Sequence, residues 1–180
     1  MNKLVKMMAV VIAAVTCSTA IAAVKDSDLQ PRVQATLENF YSQNPSHREL
    51  VDKAAAVLVF PEITKAGAGI AGEGGRGMLL INGSEVGRYT IKGASVGATL
   101  GVAGRSEIIL FMTREARDKF EQSKGWTIGA DLGVAVASKG AGGQYDTETL
   151  KRPIIAFVIN EHGLMGDVSL KGEKITRVGL

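Results

Sequence analysis

The side chains most able to do chemistry here are few, and their spacing limits what that chemistry would be. A hydrolase needs a base poised near neutrality, usually a histidine, and the chain has only His47 and His162. His47 stands at the start of an expected helix and reads as solvent-exposed; His162 falls in an expected turn. Ser95 and Ser138 have no base at recognisable spacing, and no G-x-S-x-G elbow occurs. Asp131 and Asp167 would serve as an acid–base pair with His162 only if the fold brought them together. Two distant histidines without clustered carboxylates do not make a metal site. Gly67-Ala68-Gly69-Ile70-Ala71-Gly72 has the form of a dinucleotide fingerprint, and Gly72-Glu73-Gly74-Gly75-Arg76-Gly77 repeats it. That fingerprint works only where its last glycine opens a helix facing the pyrophosphate. Here the following residues include Gly74, Gly75, Gly77 and Asn82-Gly83, which do not build a helix. The residues therefore point to a non-catalytic protein with no metal, no nucleotide and no other cofactor.

The N-terminus reads as a secretory signal over residues 1–22. Lys3 and Lys6 form a basic start, Met7 to Val15 an apolar core, and Ala20-Ile21-Ala22 a small-x-small cleavage site before Ala23. The apolar run is about a dozen residues where a membrane span needs roughly 20. Cys17 is the one cysteine and lies inside this signal, so a processed chain has no disulfide or thiolate chemistry. Lipid attachment at Cys17 is disfavoured by Thr16 directly before it and by the absence of a leucine three residues before. Residues 1–22 hold two of the 21 Lys and Arg and none of the 18 Asp and Glu, so the processed chain has a net charge of +1. A near-neutral domain lacks the concentrated positive surface that general nucleic-acid binding requires. The expected location is periplasmic or secreted, and about 158 remaining residues suit one core.

The elements that must position any site change character along the chain. Residues 23–45 hold an amphipathic helix, with Leu29, Val33, Leu37, Phe40 and Tyr41 on one face and Ser27 with Gln30 in the form of a capping box. A second helix is expected from Ser46, with Glu49 completing a capping box. Beyond it the period shifts to two: Val57–Phe60, Gly77–Ile81, Glu85–Ile91, Glu107–Met112, Ile154–Asn160 and Gly163–Leu170 read as strands. Asn82-Gly83 is a two-residue hairpin turn, and Glu161-His162-Gly163 reads as another. One helix interrupts the strands, Arg114–Ser123, with Thr113 as N-cap, Ala116 and Phe120 buried and Gly125 as its stop. Gly93, Gly97 and Gly101 recur at spacing four, and Gly125, Gly129 and Gly133 repeat that spacing. Such a stripe admits a crossing backbone or a sharp bend in a sheet.

Two features point to binding. Lys65, Arg76, Arg88, Lys92 and Arg105 are interleaved with the glycine-rich strands, and a patch of them would attract anionic headgroups by about 1 kcal/mol per charge. The apolar face of the first helix, Leu29, Val33, Leu37 and Phe40, is either ordinary core or a membrane-facing surface.

Ordered blocks carry a resemblance to a known family. Lys53-Ala54-Ala55-Ala56-Val57-Leu58-Val59-Phe60-Pro61 is followed by Lys65-Ala66-Gly67 and Gly74-Gly75-Arg76-Gly77. Then come Ser95-Val96-Gly97 with Ile108–Met112, Ile128-Gly129-Ala130-Asp131, and the run from His162 to Gly172. In this order they resemble the SYLF domain, bacterial exported type, over a domain of residues 46–180. Phe157-Val158-Ile159 departs from the tyrosine-containing strand of that pattern, and no SH3 or FYVE module is appended. The resemblance implies lipid binding: eukaryotic relatives associate with phosphoinositide membranes, and some regulate actin. An exported protein meets neither partner in its own envelope. The expected fold class is α+β, a strongly bent antiparallel sheet or barrel covered by two N-terminal helices and one inserted helix. The expected function is binding of anionic phospholipid or another lipid surface, with a scaffold for another envelope protein as the alternative.

Overall fold

Two strands of unusual length dominate the architecture. A computed structural model describes residues 28–128, 133–137, 147–160, 163–165, 170 and 172–178, with the backbone alone at 68–69, 95–100 and 164–165. In chain order the elements are α1 (Leu29–Gln43), α2 (Ser46–Lys53), β1 (Ala56–Ile81), β2 (Ser84–Phe111), α3 (Arg114–Gln122), β3 (Trp126–Thr127), β4 (Ala135–Val136), α4 (Thr147–Leu150), β5 (Ile154–Asn160), β6 (Gly163–Met165) and β7 (Lys174–Val178). The class is α+β, with the strands in one curled, half-barrel sheet.

β1 and β2 form a single antiparallel ribbon, paired from Ala56–Phe111 to Ile81–Ser84. The four short strands expected between residues 57 and 112 are thus two continuous ones. At the turn, Asn82 and Gly83 have φ of 51° and 77°, the two positive values that a hairpin matching strand twist requires. β2 pairs with β5 at one end and β7 at the other. β3 adds to β7, and β6 to β5 across the expected second hairpin. The β4–β5 pair is parallel, so the sheet is mixed rather than wholly antiparallel.

Glycine explains how so long a ribbon curls. A Cβ on Gly77 would lie 2.5 Å from the Phe60 ring and 2.7 Å from the Val59 carbonyl oxygen, and one on Gly75 would lie 2.4 Å from the Glu62 carbonyl. The second half of β1 therefore crosses closely over its first half, which only bare backbone permits. Of the two roles open to the Gly93, Gly97 and Gly101 stripe, the bend is the one its position suits, since pairing shifts between Ala68–Leu100 and Ile70–Val96. The close backbone crossing falls at Gly75 and Gly77. Gly93 makes room for the Glu73 carboxylate and Gly101 takes a φ of +116°; Gly129 lies outside the described residues.

The curl creates two cores. On its inner face Leu58, Phe60, Leu79, Tyr89, Ile109 and Phe111 pack with Phe120 of α3 and Trp126 of β3. On the outer face Val59, Met78, Leu80, Leu110 and Phe157 pack against Leu29, Val33, Leu37 and Phe40 of α1.

Helix ends follow local chemistry. Pro31 lies in the first turn of α1, where its missing N–H is one that no helix would bond. Asn44 is extended at φ −161° because Pro45 follows it. Ser46 does not cap α2; its backbone N–H donates to Asn44 Oδ1 at 3.0 Å. Thr113 caps α3 as expected, its hydroxyl accepting from the Ala116 N–H at 3.2 Å. The helix stops at Ser123, two residues before Gly125. The short α4 adds a second interruption that the sequence pattern had not suggested.

Candidate functional site

Strand alternation decides which basic residues meet. Directly opposed residues share a face, as do alternate residues of one strand. Arg76 is opposite Thr90, and Arg88, Thr90 and Lys92 are opposite Val178, Thr176 and Lys174. Tyr89 and Ile91, between them, belong to the inner core. Arg76, Arg88, Lys92 and Lys174 therefore share the outer face, beside the area that α1 covers. Lys92 and Lys174 are exposed, and Arg76 and Arg88 half-buried. Arg88 holds Glu85 at 2.6 Å. Lys174 carries no signal in sequence, because β7 has only one buried aliphatic, Ile175, and so shows little alternation.

Lys65 and Arg105 fall on the other side. Ile63 pairs with Arg105 and Lys65 with Ala103, which places both in alternation with the inner core. Lys65 is half-buried at the rim. Arg105 is a correction to the expected headgroup patch: its side chain is 12% exposed and turned toward carboxylates. Nη1 donates to Glu73 at 2.7 Å and Nη2 to Glu173 at 2.5 Å, with Glu107 at 3.9 Å.

This inner cluster sets three carboxyl groups around one guanidinium. Burial drives the Glu107 pKa well above the ordinary range, and the Glu173 charge adds to the rise. Glu173 is raised to about 7, first by burial and then by Glu73, with Arg105 opposing. For Arg105, burial works against the charge but the three glutamates outweigh it, so its pKa rises. Among the described residues both Glu107 carboxyl oxygens, Tyr89 Oη and Trp126 Nε1 are buried without a hydrogen-bond partner. No group of His, Cys, Asp or Glu among the described residues is placed to hold a metal ion.

The apolar face of α1 is core rather than a membrane-facing surface. Leu29, Val33, Leu37 and Phe40 are all buried against the sheet. His47, expected in solvent, is fully buried instead. Its ring stacks on Phe40 with centroids 3.8 Å apart, and Nδ1 meets the Phe40 carbonyl at 2.5 Å. A carbonyl only accepts, so Nδ1 carries the proton. A histidine in the first turn of a short polar helix gives no signal of this, because its partner is seven residues back.

Ser95 has no described side chain, and Ser138, Asp131, His162 and Asp167 lie outside the described residues, as do the proposed signal, Cys17 and Ser27. The segment Gly67–Gly77 is strand throughout, so no helix follows either glycine fingerprint. Among the described residues no helix is long and apolar enough to cross a membrane.

Residues 92–178 match the family model Ysc84, described as Las17-binding protein actin regulator. That stretch is similar to the SYLF family, the one the sequence blocks resemble. This family is non-catalytic and is linked to lipid binding and actin regulation. The match runs from Lys92 to Val178 and so begins inside β2, whose earlier residues pair with β1. The resemblances at residues 53–77 lie ahead of it. No curated protein matches the chain.

Proposed function

We propose that this SYLF-like protein binds anionic phospholipid surfaces in the periplasm or outside the cell, after cleavage of residues 1–22. The observation that carries this reading is the shared outer face of Arg76, Arg88, Lys92 and Lys174, four cations from three adjacent strands. Their alignment on a rigid sheet lets phosphates approach several at once, and each charge near an anionic membrane is worth about 1 kcal/mol. Lys65 and Arg105 have no part in that face. The buried face of α1 implies headgroup contact rather than insertion of this helix.

Charge reversal tests it. Lys92→Glu with Lys174→Glu should reduce binding to anionic vesicles roughly tenfold or more, since about four charge units are changed, and leave the fold intact. Undiminished binding would contradict the headgroup role of this face. A second reading draws on the family description, which names a protein-binding actin regulator: a scaffold whose partner is another protein, here one of the envelope. It gains if vesicles of every composition fail to bind while the outer face still selects a protein partner.

A further inference from the structure

The β1–β2 ribbon bends near its middle, around residues 66–72 of β1 and 93–104 of β2. Pairing shifts there, between Ala68–Leu100 and Ile70–Val96, so β2 spends more residues than β1 on the corner. Neither segment contains a charged residue. Ile70 is 70% exposed and Val102 76% exposed, the most exposed large apolar side chains among the described residues. Ala66, Gly72, Ala94, Gly101, Ala103 and Gly104 around them are exposed too. An apolar corner of this kind marks a docking surface.

The charges bounding the corner indicate what docks there. On β1 they are Lys65 and Glu73, and on β2 Lys92 and Arg105. Glu73 and Arg105 turn inward and neutralise one another at 2.7 Å. Glu62, four residues before the corner on β1, is held by Arg32 of α1, and Glu107 on β2 is buried beside Arg105. What remains at the rim is cationic, Lys65 on one side of the ribbon and Lys92 on the other. Apolar tips inside a basic rim complement an anionic bilayer, acyl chains below and phosphates above. A second copy would set lysine rims against each other.

We infer that the ribbon corner carrying Ile70 and Val102 is the element that enters the lipid, with Lys65 and Lys92 held at the phosphate level. This rests on the lipid-binding reading and supplies its depth and orientation. Strand pairing on either side of the register shift suits the corner to that place, because those ladder amides bond within the ribbon rather than to water.

The test introduces a fluorophore at the corner. Residues 23–180, which contain every described element, carry Ile70→Trp; the native Trp126 is buried and supplies a constant background. Vesicles of neutral lipid, of phosphatidylglycerol mixtures, and of both with brominated acyl chains are added, with sedimentation measured in parallel. The expected result is blue-shifted emission and quenching by bromine on anionic vesicles only. Ile70→Asp with Val102→Asp should weaken sedimentation ~10-fold, as expected for losing two buried aliphatic side chains. Sedimentation without any shift or quenching would overturn the insertion and leave surface binding standing. Absence of sedimentation altogether would overturn both readings. A shift that appears without vesicles and grows with protein concentration would assign the corner to self-association and overturn the inference.

Discussion

Glu107 sits at 0% exposure with Glu73 and Glu173 near it and a single arginine among them. Three ionised carboxylates and one guanidinium would leave excess negative charge in the inner core, so protonation is the natural relief. The folded-state pKa of Glu173 is about 7 against an ordinary 4.5, and that of Glu107 is also raised. The folded protein thus holds more protons than the unfolded chain between these values. Stability is then full below about pH 4.5 and falls as pH rises through about 7. Urea melts at pH 5 and pH 8 should show the lower midpoint at pH 8, and Glu173→Gln should flatten the difference. Arg105→Ala strands the carboxylates and should cost about 3–5 kcal/mol, read in the same melts at pH 8. None of this was legible in sequence. Arg105, Glu73 and Glu173 are spread over 100 residues, and alternation alone does not reveal that the ribbon curls them together.

At the scale of elements, the curl depends on bare backbone at the crossing in β1. Gly77→Ala places a methyl 2.5 Å from the Phe60 ring, and should cost about 1–3 kcal/mol as overpacking does. Gly72→Ala meets nothing within 4 Å and should stay within about 0.5 kcal/mol of the parent; thermal melts of the two separate crossing from mere glycine content. Thr113→Ala should cost about 1 kcal/mol, since its hydroxyl caps α3. Local chemistry at such positions was readable: the Thr113 cap, the Asn82-Gly83 turn and the α1 stripe all depend on neighbours in sequence. The joining of four expected strands into two was not, because interior glycines such as Gly87 and Gly93 break the alternation on which strand lengths are judged. The Ser46 cap failed for a related reason, as the competing Asn44 side chain lies two residues upstream.

Across the whole molecule the two faces of the ribbon divide the work. The inner face holds one core and the Arg105 cluster, while the outer face holds the second core beneath α1 and, beside it, Arg76, Arg88, Lys92 and Lys174. Three members of that outer face, Arg76, Arg88 and Lys92, are expected from sequence, but together with Lys65 and Arg105, which lie on the other side. Which strand residues share a side depends on register and bulges, and β1 has three such irregularities. The SYLF resemblance supplied lipid binding as the class; the sheet supplies the arrangement that would do it. Co-sedimentation of residues 23–180 with neutral and anionic liposomes, at low and high salt, tests that arrangement most directly. The account predicts pelleting with anionic vesicles that salt weakens through screening, and little with neutral ones. Equal, salt-insensitive pelleting with both, or none with either, would contradict it.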